Sequence, residues 1–282
     1  MMGRLAFIGL GLYDLRDISI GALDYLKRAS FVFMEDYTSV LPGFNVLKLQ
    51  EKIGKNIVLL SRKDLEDDFG RKLWDSSKRG DIALICIGDP FIATTHITLR
   101  LEAIKRNLEV IVYPSPSIIN GVTASTGLHI YKLSRPVTLT FIEEKYGYYP
   151  LTAYYVLQEN LQRGLHTLFL LDIRKDENRF MTVNEAISVL LKLEEKVNEG
   201  VIDVDKTIGI GVARSTAPDE KIFAGYLEEL LDYDFGLPPH VLIIPGLLHE
   251  TEKEALNILC RIDKKKLDCW NKRVQELLSK VR

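Results

Sequence analysis

Two glycine-punctuated segments of this 282-residue chain combine apolar runs with polar groups that could bind a small molecule. They are residues 7–14, FIGLGLYD, and residues 84–96, LICIGDPFIATTH. In the second, a strand-like run stops at Gly88-Asp89-Pro90 and a helical pattern is expected to begin at once. Asp89 would then lie at the carboxyl end of a buried strand, which is where open α/β sheets bind ligands. The two segments therefore predict a small-molecule site in the first half of the chain.

Four residues in these segments, Asp89, His96, Gly9 and Gly11, each have two interpretations. Asp89 either accepts hydrogen bonds from an amino or hydroxyl group of a ligand or caps the next helix, with Pro90 at its first position. His96 is either a general base or a capping and packing residue. Gly9 and Gly11 allow a close approach to a ligand or form a tight turn. They are no dinucleotide fingerprint, because Asp14 stands where its third glycine is needed.

Nucleophile and metal chemistry find little support in the sequence. The chain has no G-x-S-x-G motif, and Lys253 stands where His249-Glu250 would need a second histidine to form H-E-x-x-H. The five histidines are scattered without ligand spacing, so we expect no metal site. No paired acid and base is evident, and the catalytic residues stay unknown. What remains is chemistry that places two reactants together, as group transfer from a cofactor does.

Strand-like and helix-like runs alternate along the chain, which predicts an α/β fold with a parallel sheet covered on both faces. We place a domain boundary at Pro114-Ser115-Pro116-Ser117, where two prolines favour extended chain. The expected domains are residues 1–113 and 114–282. Predicted strands are 5–10, 31–34, 57–60, 82–87, 110–113, 137–141, 167–171, 207–213 and 241–244. Predicted helices are 18–28, 44–53, 65–78 (exposed), 94–105, 118–128, 154–162, 183–197, 226–231, 251–258 and 267–280.

Composition narrows the environment and the partners. A charged fraction of 27% and an apolar fraction of 46% allow a full core, and a net charge of −2 argues against binding nucleic acid through bulk charge. The three cysteines are odd in number and lack a C-x-x-C spacing, as expected in a reducing cytoplasm. No apolar stretch approaches the roughly 18 residues that a membrane span needs. We therefore expect a cytoplasmic protein that binds neither membrane nor nucleic acid.

Taken together, these motifs resemble those of the diphthine synthases, within the tetrapyrrole-methylase-like S-adenosylmethionine (SAM) methyltransferases. The most specific are GDPFIATTH at 88–96, RGLHTLFLLDI at 163–173 and DFGLPPH at 234–240. Further matches, which extend the resemblance over nearly the whole chain, are FIGLGLYDLRDISI, EDYTS, PSIIN, TGLHIYK, MTVNEA, GVARS and LHETEKEAL.

The resemblance implies two α/β domains, a parallel-sheet N-terminal one and a mixed-sheet C-terminal one, with SAM in the cleft between them. It implies a homodimer and an N-methyltransferase that releases S-adenosyl-L-homocysteine. The substrate implied is translation elongation factor 2, whose modified histidine carries an aminocarboxypropyl amine that is methylated to trimethylated diphthine. Alternatives are a related methyltransferase acting on a tetrapyrrole or ribosomal RNA, or a non-catalytic protein that binds SAM or a nucleotide.

The family's cofactor contacts carry over by motif onto eight residues of this chain. They are Leu12, Asp89, Ile92, Ser117, Ile118, Leu171, Ser215 and His240. The chain departs from the family pattern at Ile87, where a proline is usual, and at Asp36, where an aromatic residue is more common. It also departs at Ser215-Thr216, where the family often has Ala-Gly after the arginine.

Overall fold

A five-stranded parallel sheet forms the centre of the first half of the chain. The computed structural model describes residues 3–279, and the chain divides after Ile118 into a first and a second unit, with Lys175–Glu177 belonging to the first. The strands of the first unit pair in the order β3-β2-β4-β1-β5, and every pairing is parallel. They are β1 (Arg4–Gly9), β2 (Phe31–Glu35), β3 (Ile57–Leu60), β4 (Ile82–Cys86) and β5 (Glu109–Tyr113).

Helices cover both faces of this sheet, as the sequence predicts. They are α1 (Ile20–Arg28), α2 (Val46–Ile53), α3 (Arg71–Ser77) and α4 (Ile97–Lys105). Ala83 and Ile85 of β4 pack in the cluster that contains α1 and α2, while Leu84 and Cys86 pack in the cluster that contains α3 and α4. β4 is buried along its whole length, which explains why its residues are apolar at successive positions rather than at alternate ones.

The second unit has a mixed five-stranded sheet in the order β11-β10-β12-β7-β6, where only β6 and β7 pair in parallel. The predicted fold class, α/β with one parallel and one mixed sheet, is therefore confirmed. Its strands are β6 (Val137–Leu139), β7 (Thr167–Leu171), β8 (Ile173–Arg174), β9 (Arg179–Phe180), β10 (Ile208–Ala213), β11 (Lys221–Tyr226) and β12 (His240–Ile244). Its helices are α5 (Ile118–Thr126), α6 (Leu151–Leu161), α7 (Val183–Val197), α8 (Leu227–Asp232), α9 (Glu250–Leu259) and α10 (Lys264–Ser279).

Most predicted helices agree with the described ones to within three residues at each end, and the helix predicted at 65–78 differs most. The helix predicted at 65–78 is interrupted, because Phe69 and Gly70 have φ angles of 48° and 66°, and α3 begins only after them. It is also not wholly exposed, since Leu73 and Trp74 are buried. The helix predicted at 94–105 begins at Ile97.

Strands β8, β9 and β11 of the second unit are absent from the predictions. Strand β11 is absent from them because it is an edge strand with Lys221 at its start and Gly225 near its end. Lys280, predicted to end the last helix, lies outside the described residues. None of the helices within residues 3–279 is long and apolar enough to cross a membrane.

A buried carboxylate joins separate segments of the second unit. Glu252, in the first turn of α9, is 0% exposed. It accepts hydrogen bonds from the backbone N–H groups of His129 and His249 at 2.8 Å each, from His166 Nε2 at 2.8 Å and from Lys132 Nζ at 3.2 Å. Burial alone would raise the pKa of Glu252, but the hydrogen bonds from His166 and the backbone outweigh it and lower the pKa to about 2.

We expect Glu252→Gln to lower the free energy of unfolding by about 3 kcal/mol at pH 7, because an amide nitrogen would then face buried donors. The folded-state pKa of Glu252 lies below its usual value of 4.5. The carboxylate therefore contributes stability above about pH 4.5, and that contribution is lost as the pH falls toward 2. Urea unfolding should show a smaller difference between wild type and variant at about pH 3 than at about pH 7.

Glu250→Gln is the matched control, since this residue lies on the same helix with its side chain 82% exposed. Its free energy of unfolding should change by less than about 0.5 kcal/mol. Equal losses for the two variants at pH 7 would contradict the role assigned to Glu252.

Candidate functional site

The two glycine-punctuated segments lie side by side, because β1 and β4 are neighbours and the residues that follow them are also bonded to each other. The backbone N–H of Leu10 donates to the carbonyl of Cys86 at 2.9 Å. Gly11 and Gly88 then exchange two backbone hydrogen bonds, at 3.2 and 3.1 Å. Both segments therefore reach the carboxyl edge of the parallel sheet, where the sequence places the ligand site.

The glycines at this edge are required by contacts of the chain with itself. A Cβ on Gly9 would lie 2.6 Å from the Gly88 carbonyl oxygen and 2.6 Å from the Ser115 Cβ. Gly11 has a φ of +80°, and a Cβ there would lie 2.2 Å from the Cβ of Asp17. Of the two interpretations of these glycines, the structure supports the tight turn.

Leu12 follows this turn and is held by its backbone. Asp17 Oδ2 accepts hydrogen bonds from the backbone N–H groups of Leu12 and Tyr13, at 2.9 Å each. A ligand contact at Leu12 would therefore use its side chain or its carbonyl oxygen, since its N–H is already bonded.

Asp89 joins the segments that follow β4 and β5. Its Oδ1 accepts from the backbone N–H of Phe91 at 2.9 Å, and its Oδ2 accepts from that of Ser115 at 3.2 Å. The interpretation of Asp89 as the cap of the next helix is wrong, because α4 begins at Ile97 and Asp89 closes a local turn instead. A carboxylate has about four acceptor positions, so capacity remains for a donor from a ligand.

Three more candidates of the first unit follow the same two strands, β4 and β5. Ile92, which follows β4, is apolar and 42% exposed. Ser117 and Ile118, which follow β5, are buried and half-buried, respectively. The carboxyl ends of three adjacent strands, β4, β1 and β5, therefore carry the five first-unit candidates.

His96 is buried beneath this edge. It is 1% exposed, and its Nδ1 lies 3.0 Å from the Pro90 carbonyl oxygen, while its Nε2 lies 3.0 Å from Glu35 Oε2. Burial alone would lower the pKa of His96, but the hydrogen bond and negative charge of Glu35 outweigh it and raise the pKa. The packing interpretation of His96 is thus supported over that of a general base, because its imidazole is enclosed by the protein.

Within the described residues, Glu35, Cys86 and His96 form the one group whose side chains could offer three ligand atoms to a metal ion. Spacing along the sequence could not identify this group, because its members come from three separate elements. Burial raises the pKa of the Cys86 thiol well above its usual value, which favours a protonated, non-ligating thiol.

The three candidates of the second unit lie at one edge of its sheet. Leu171 ends β7, His240 begins β12 and Ser215 follows β10. The register pairs Ala213 with His240 and Leu170 with Val241, so these strand ends are adjacent.

His240 is held as a neutral imidazole. Its Nδ1 accepts from the backbone N–H of Val183 at 3.3 Å, so its Nε2 carries the proton and donates to the Leu237 carbonyl oxygen at 3.1 Å. Burial lowers the pKa of His240, and the hydrogen bonds to carbonyl groups offset this only in part. In a ligand site, His240 would therefore contribute an uncharged imidazole ring in a fixed tautomer.

Ser215 lies in a strained turn. Its Oγ is 3.2 Å from Ser125 Oγ, and Glu220 Oε2 accepts from Ser125 Oγ and from the backbone N–H of Thr216, at 2.6 Å each. Arg214 and Thr216 have φ angles of 54° and 65°. A β-branched residue is disfavoured at positive φ, so a glycine at position 216 would relieve backbone strain.

A cavity of about 650 Å³ in the first unit lies elsewhere. It is lined by residues 30–33 and 54–56 with Gln50 and Val58, at the amino-terminal part of β2 and beside β3. Because ligands of parallel sheets bind at the carboxyl ends of the strands, we do not include it in the candidate site.

Comparisons with known proteins agree with this geometry. The family model of tetrapyrrole (corrin/porphyrin) methylases matches residues 4–231. The chain is 46% identical to a diphthine synthase of Methanocaldococcus jannaschii over 258 residues, which are 91% of this chain and 98% of that protein. It is 42% identical to one of Methanococcus aeolicus over 252 residues, or 89% and 96%. A crystal structure of diphthine synthase matches with a TM-score of 0.84 at 30% identity, covering 95% of this chain and 100% of that one.

The chain therefore belongs to the tetrapyrrole methylase family. Within that family it is one of the diphthine synthases, and it is a SAM-dependent methyltransferase of diphthamide biosynthesis. The predicted family and enzyme class are confirmed. The alternatives, a tetrapyrrole or ribosomal RNA methyltransferase and a non-catalytic binding protein, are not favoured.

Thr216→Gly should stabilise the protein by a few tenths to about 1 kcal/mol, because the relief of strain exceeds the added freedom of the unfolded chain. Thermal unfolding measures this as a rise in Tm. Thr216→Ala keeps a Cβ at positive φ and should give a smaller gain. A Tm for Thr216→Gly at or below that of Thr216→Ala would show that backbone strain at this position is not relieved by glycine.

Proposed function

We propose that this enzyme methylates the amine of the aminocarboxypropyl-modified histidine of elongation factor 2, as far as the trimethylated product. The name of the relatives, diphthine synthase, and the motif resemblance support this substrate. The structural observation that carries the proposal is the link through Asp89 between the segments after β4 and β5. These segments hold four of the five cofactor contacts that the family motifs imply for the first unit.

The side chains at the candidate positions are chemically suited to bind SAM. Asp89 has acceptor capacity for the hydroxyl or amino groups of the cofactor, and its two backbone bonds fix its direction. Leu12, Ile92 and Ile118 supply apolar surface, as expected of a slot for a nucleobase with few polar anchors. In the second unit, we assign Leu171, Ser215 and His240 to the same cofactor by motif.

The bound cofactor supplies an electrophilic methyl group on sulfur. With SAM bound, the lone pair of the substrate amine would form the new C–N bond at the expense of the C–S bond, and a proton would leave the nitrogen in each of the first two rounds. The amine must be unprotonated, and an α-amino group has a pKa near 7.7–8.0 in model peptides. We infer that the protein contributes by alignment and by removing water, which lowers this pKa further, rather than through a dedicated base.

Several finer predictions accompany this proposal. Domain limits at 1–113 and 114–282 with the cofactor between the domains, a homodimer, a cytoplasmic location and the absence of nucleic acid as a partner stay predictions. The three cysteines are free thiols in the structure, with Cys86 and Cys260 buried and Cys269 exposed. Light scattering of the purified protein would measure the oligomeric state directly.

Asp89→Asn should weaken SAM binding by at least about tenfold, because an amide group would face the Ser115 N–H and lose one acceptor for the ligand. Isothermal titration calorimetry of the full chain measures the Kd. Asp75→Asn, at a side chain 61% exposed on α3, is the matched control and should bind as the wild type does. Equal affinities for the two variants would remove Asp89 from the cofactor site.

Mass spectrometry tests the substrate. Elongation factor 2 that carries the unmethylated intermediate should gain about 14 Da per methyl group after incubation with the enzyme and SAM, up to three groups, on the modified-histidine peptide alone. Unmodified elongation factor 2 is the control and should gain none. If SAM binds but neither form gains mass, the proposed substrate is wrong.

A further inference from the structure

Two buried histidine–glutamate pairs differ in the number of protons that they require. In the second unit, His166 Nδ1 accepts from the backbone N–H of Gly246 at 2.8 Å. Its Nε2 must therefore carry the single proton of a neutral imidazole, which it donates to Glu252 at 2.8 Å. One proton satisfies this pair.

In the first unit, His96 has two acceptors instead. Its Nδ1 lies 3.0 Å from the Pro90 carbonyl oxygen, which can only accept, so Nδ1 carries a proton. Its Nε2 lies 3.0 Å from Glu35 Oε2, and neither of these two buried atoms has another hydrogen-bond partner among the described residues. A neutral imidazole would leave two lone pairs facing each other where the side chains are 1% and 0% exposed, so a second proton is needed.

This pair holds both sides of the Gly88-Asp89 turn. Glu35 Oε1 accepts from the backbone N–H of Ile87 at 3.0 Å, on one side. His96 donates to the carbonyl oxygen of Pro90 on the other side, and Thr94 Oγ1 donates to the same oxygen at 2.6 Å. The turn that carries Asp89 is thus fixed by bonds to two buried side chains.

We propose that His96 and Glu35 are positioning residues for cofactor binding: a doubly protonated His96, paired with Glu35, holds residues 87–90 so that Asp89 can receive SAM. The inference rests on the proposed assignment of Asp89 to the cofactor site and deepens it. It assigns a role to two residues that do not touch the ligand. It also makes SAM affinity depend on one buried proton, which is retained at neutral pH and lost in alkaline solution.

The groups that face the pair favour this charge state. Glu66, whose side chain accepts from Thr95 Oγ1 at 3.1 Å, adds negative potential and helps to raise the pKa of His96. Tyr37 and Cys86 are neutral, since burial raises the pKa of the phenol and of the thiol above their usual values. Arg62 stacks on the Tyr37 ring at 5.3 Å and places a cation beside this phenol.

A proton explains the pair better than a metal ion does. The Nε2–Oε2 separation of 3.0 Å is a hydrogen-bond distance. Cys86 Sγ, the third potential ligand, lies 3.9 Å from the Leu84 carbonyl of its own strand. A bound metal is nonetheless a distinct outcome of the test below.

Nitrogen NMR of the full chain, labelled at histidine and assigned with His96→Gln, tests the charge state. Both ring nitrogens of His96 should be protonated at pH 7, whereas His166 should carry one proton. A singly protonated His96 overturns the inference, and so does a metal ion found by elemental analysis at one per chain.

Calorimetry of SAM binding from pH 6 to 9.5 tests the positioning role. Glu35→Gln keeps the acceptor for Ile87 and offers an amide N–H to the lone pair of a neutral His96, so one proton fewer is needed. Its Kd should be within about threefold of wild type at pH 7 and at least about tenfold tighter than wild type at pH 9.5. The ratio of the two Kd values cancels the titration of the cofactor's own amino group.

Glu252→Gln is the control, since it alters the buried pair of the second unit. Its pH profile of binding should follow that of wild type. If both proteins bind SAM and the ratio of their Kd values does not change with pH, the positioning role alone is overturned. A wild type that binds no SAM at any pH overturns the proposed cofactor site and the positioning role together.

Discussion

Backbone pairing between β1 and β4 is the constraint on which the first unit depends. Beyond the parallel ladder, Gly11 and Gly88 form a separate antiparallel bridge in which they exchange two hydrogen bonds. This close approach leaves no room for a Cβ at Gly9, which would lie 2.6 Å from the Gly88 carbonyl oxygen, and Asp17 leaves none at Gly11. At the same edge, the carboxylates of Asp17 and Asp89 each accept two backbone N–H groups. The conformation of the candidate cofactor segments is therefore determined by contacts of the chain with itself at the carboxyl edge of the sheet.

Buried carboxylates are used in both units to fix loops that have no regular structure. A carboxylate can accept about four hydrogen bonds, and leaving a buried donor unpaired costs about 1–3 kcal/mol. Glu35 and Glu252 therefore specify where their neighbouring loops lie, and loss of either carboxylate would leave buried donors unpaired. The histidine beside each one is adapted to its other partner, a carbonyl group for His96 and a backbone N–H for His166.

Periodicity was sufficient to predict the elements that are stabilised locally or by burial. The strand at 57–60 and the helix at 183–197 match their predictions, the latter because Thr182 and Glu185 form a capping box. The segment at 90–96 could not be predicted, because its turn depends on side chains bonded to the Pro90 carbonyl. Motifs identified the candidate residues at strand ends one by one. The pairing of Glu35 with His96 joins positions 61 residues apart and has no local signal.

The partners of Glu252 are also distant along the chain, and this has a consequence for how the second unit folds. Its hydrogen bonds to His129, Lys132 and His166 span 123, 120 and 86 residues. Loops of this length are costly to close, and folding rates fall as such non-local contacts come to dominate. Until α9 docks, the chain segments around residues 129–132 and 166 lack their shared acceptor. Synthesis on the ribosome proceeds from the N-terminus, so these segments are made well before Glu252, and their polar groups wait for it to be satisfied. The second unit is thus expected to complete its structure only after α9 has been synthesised, and a chain truncated before α9 would lack these polar bonds.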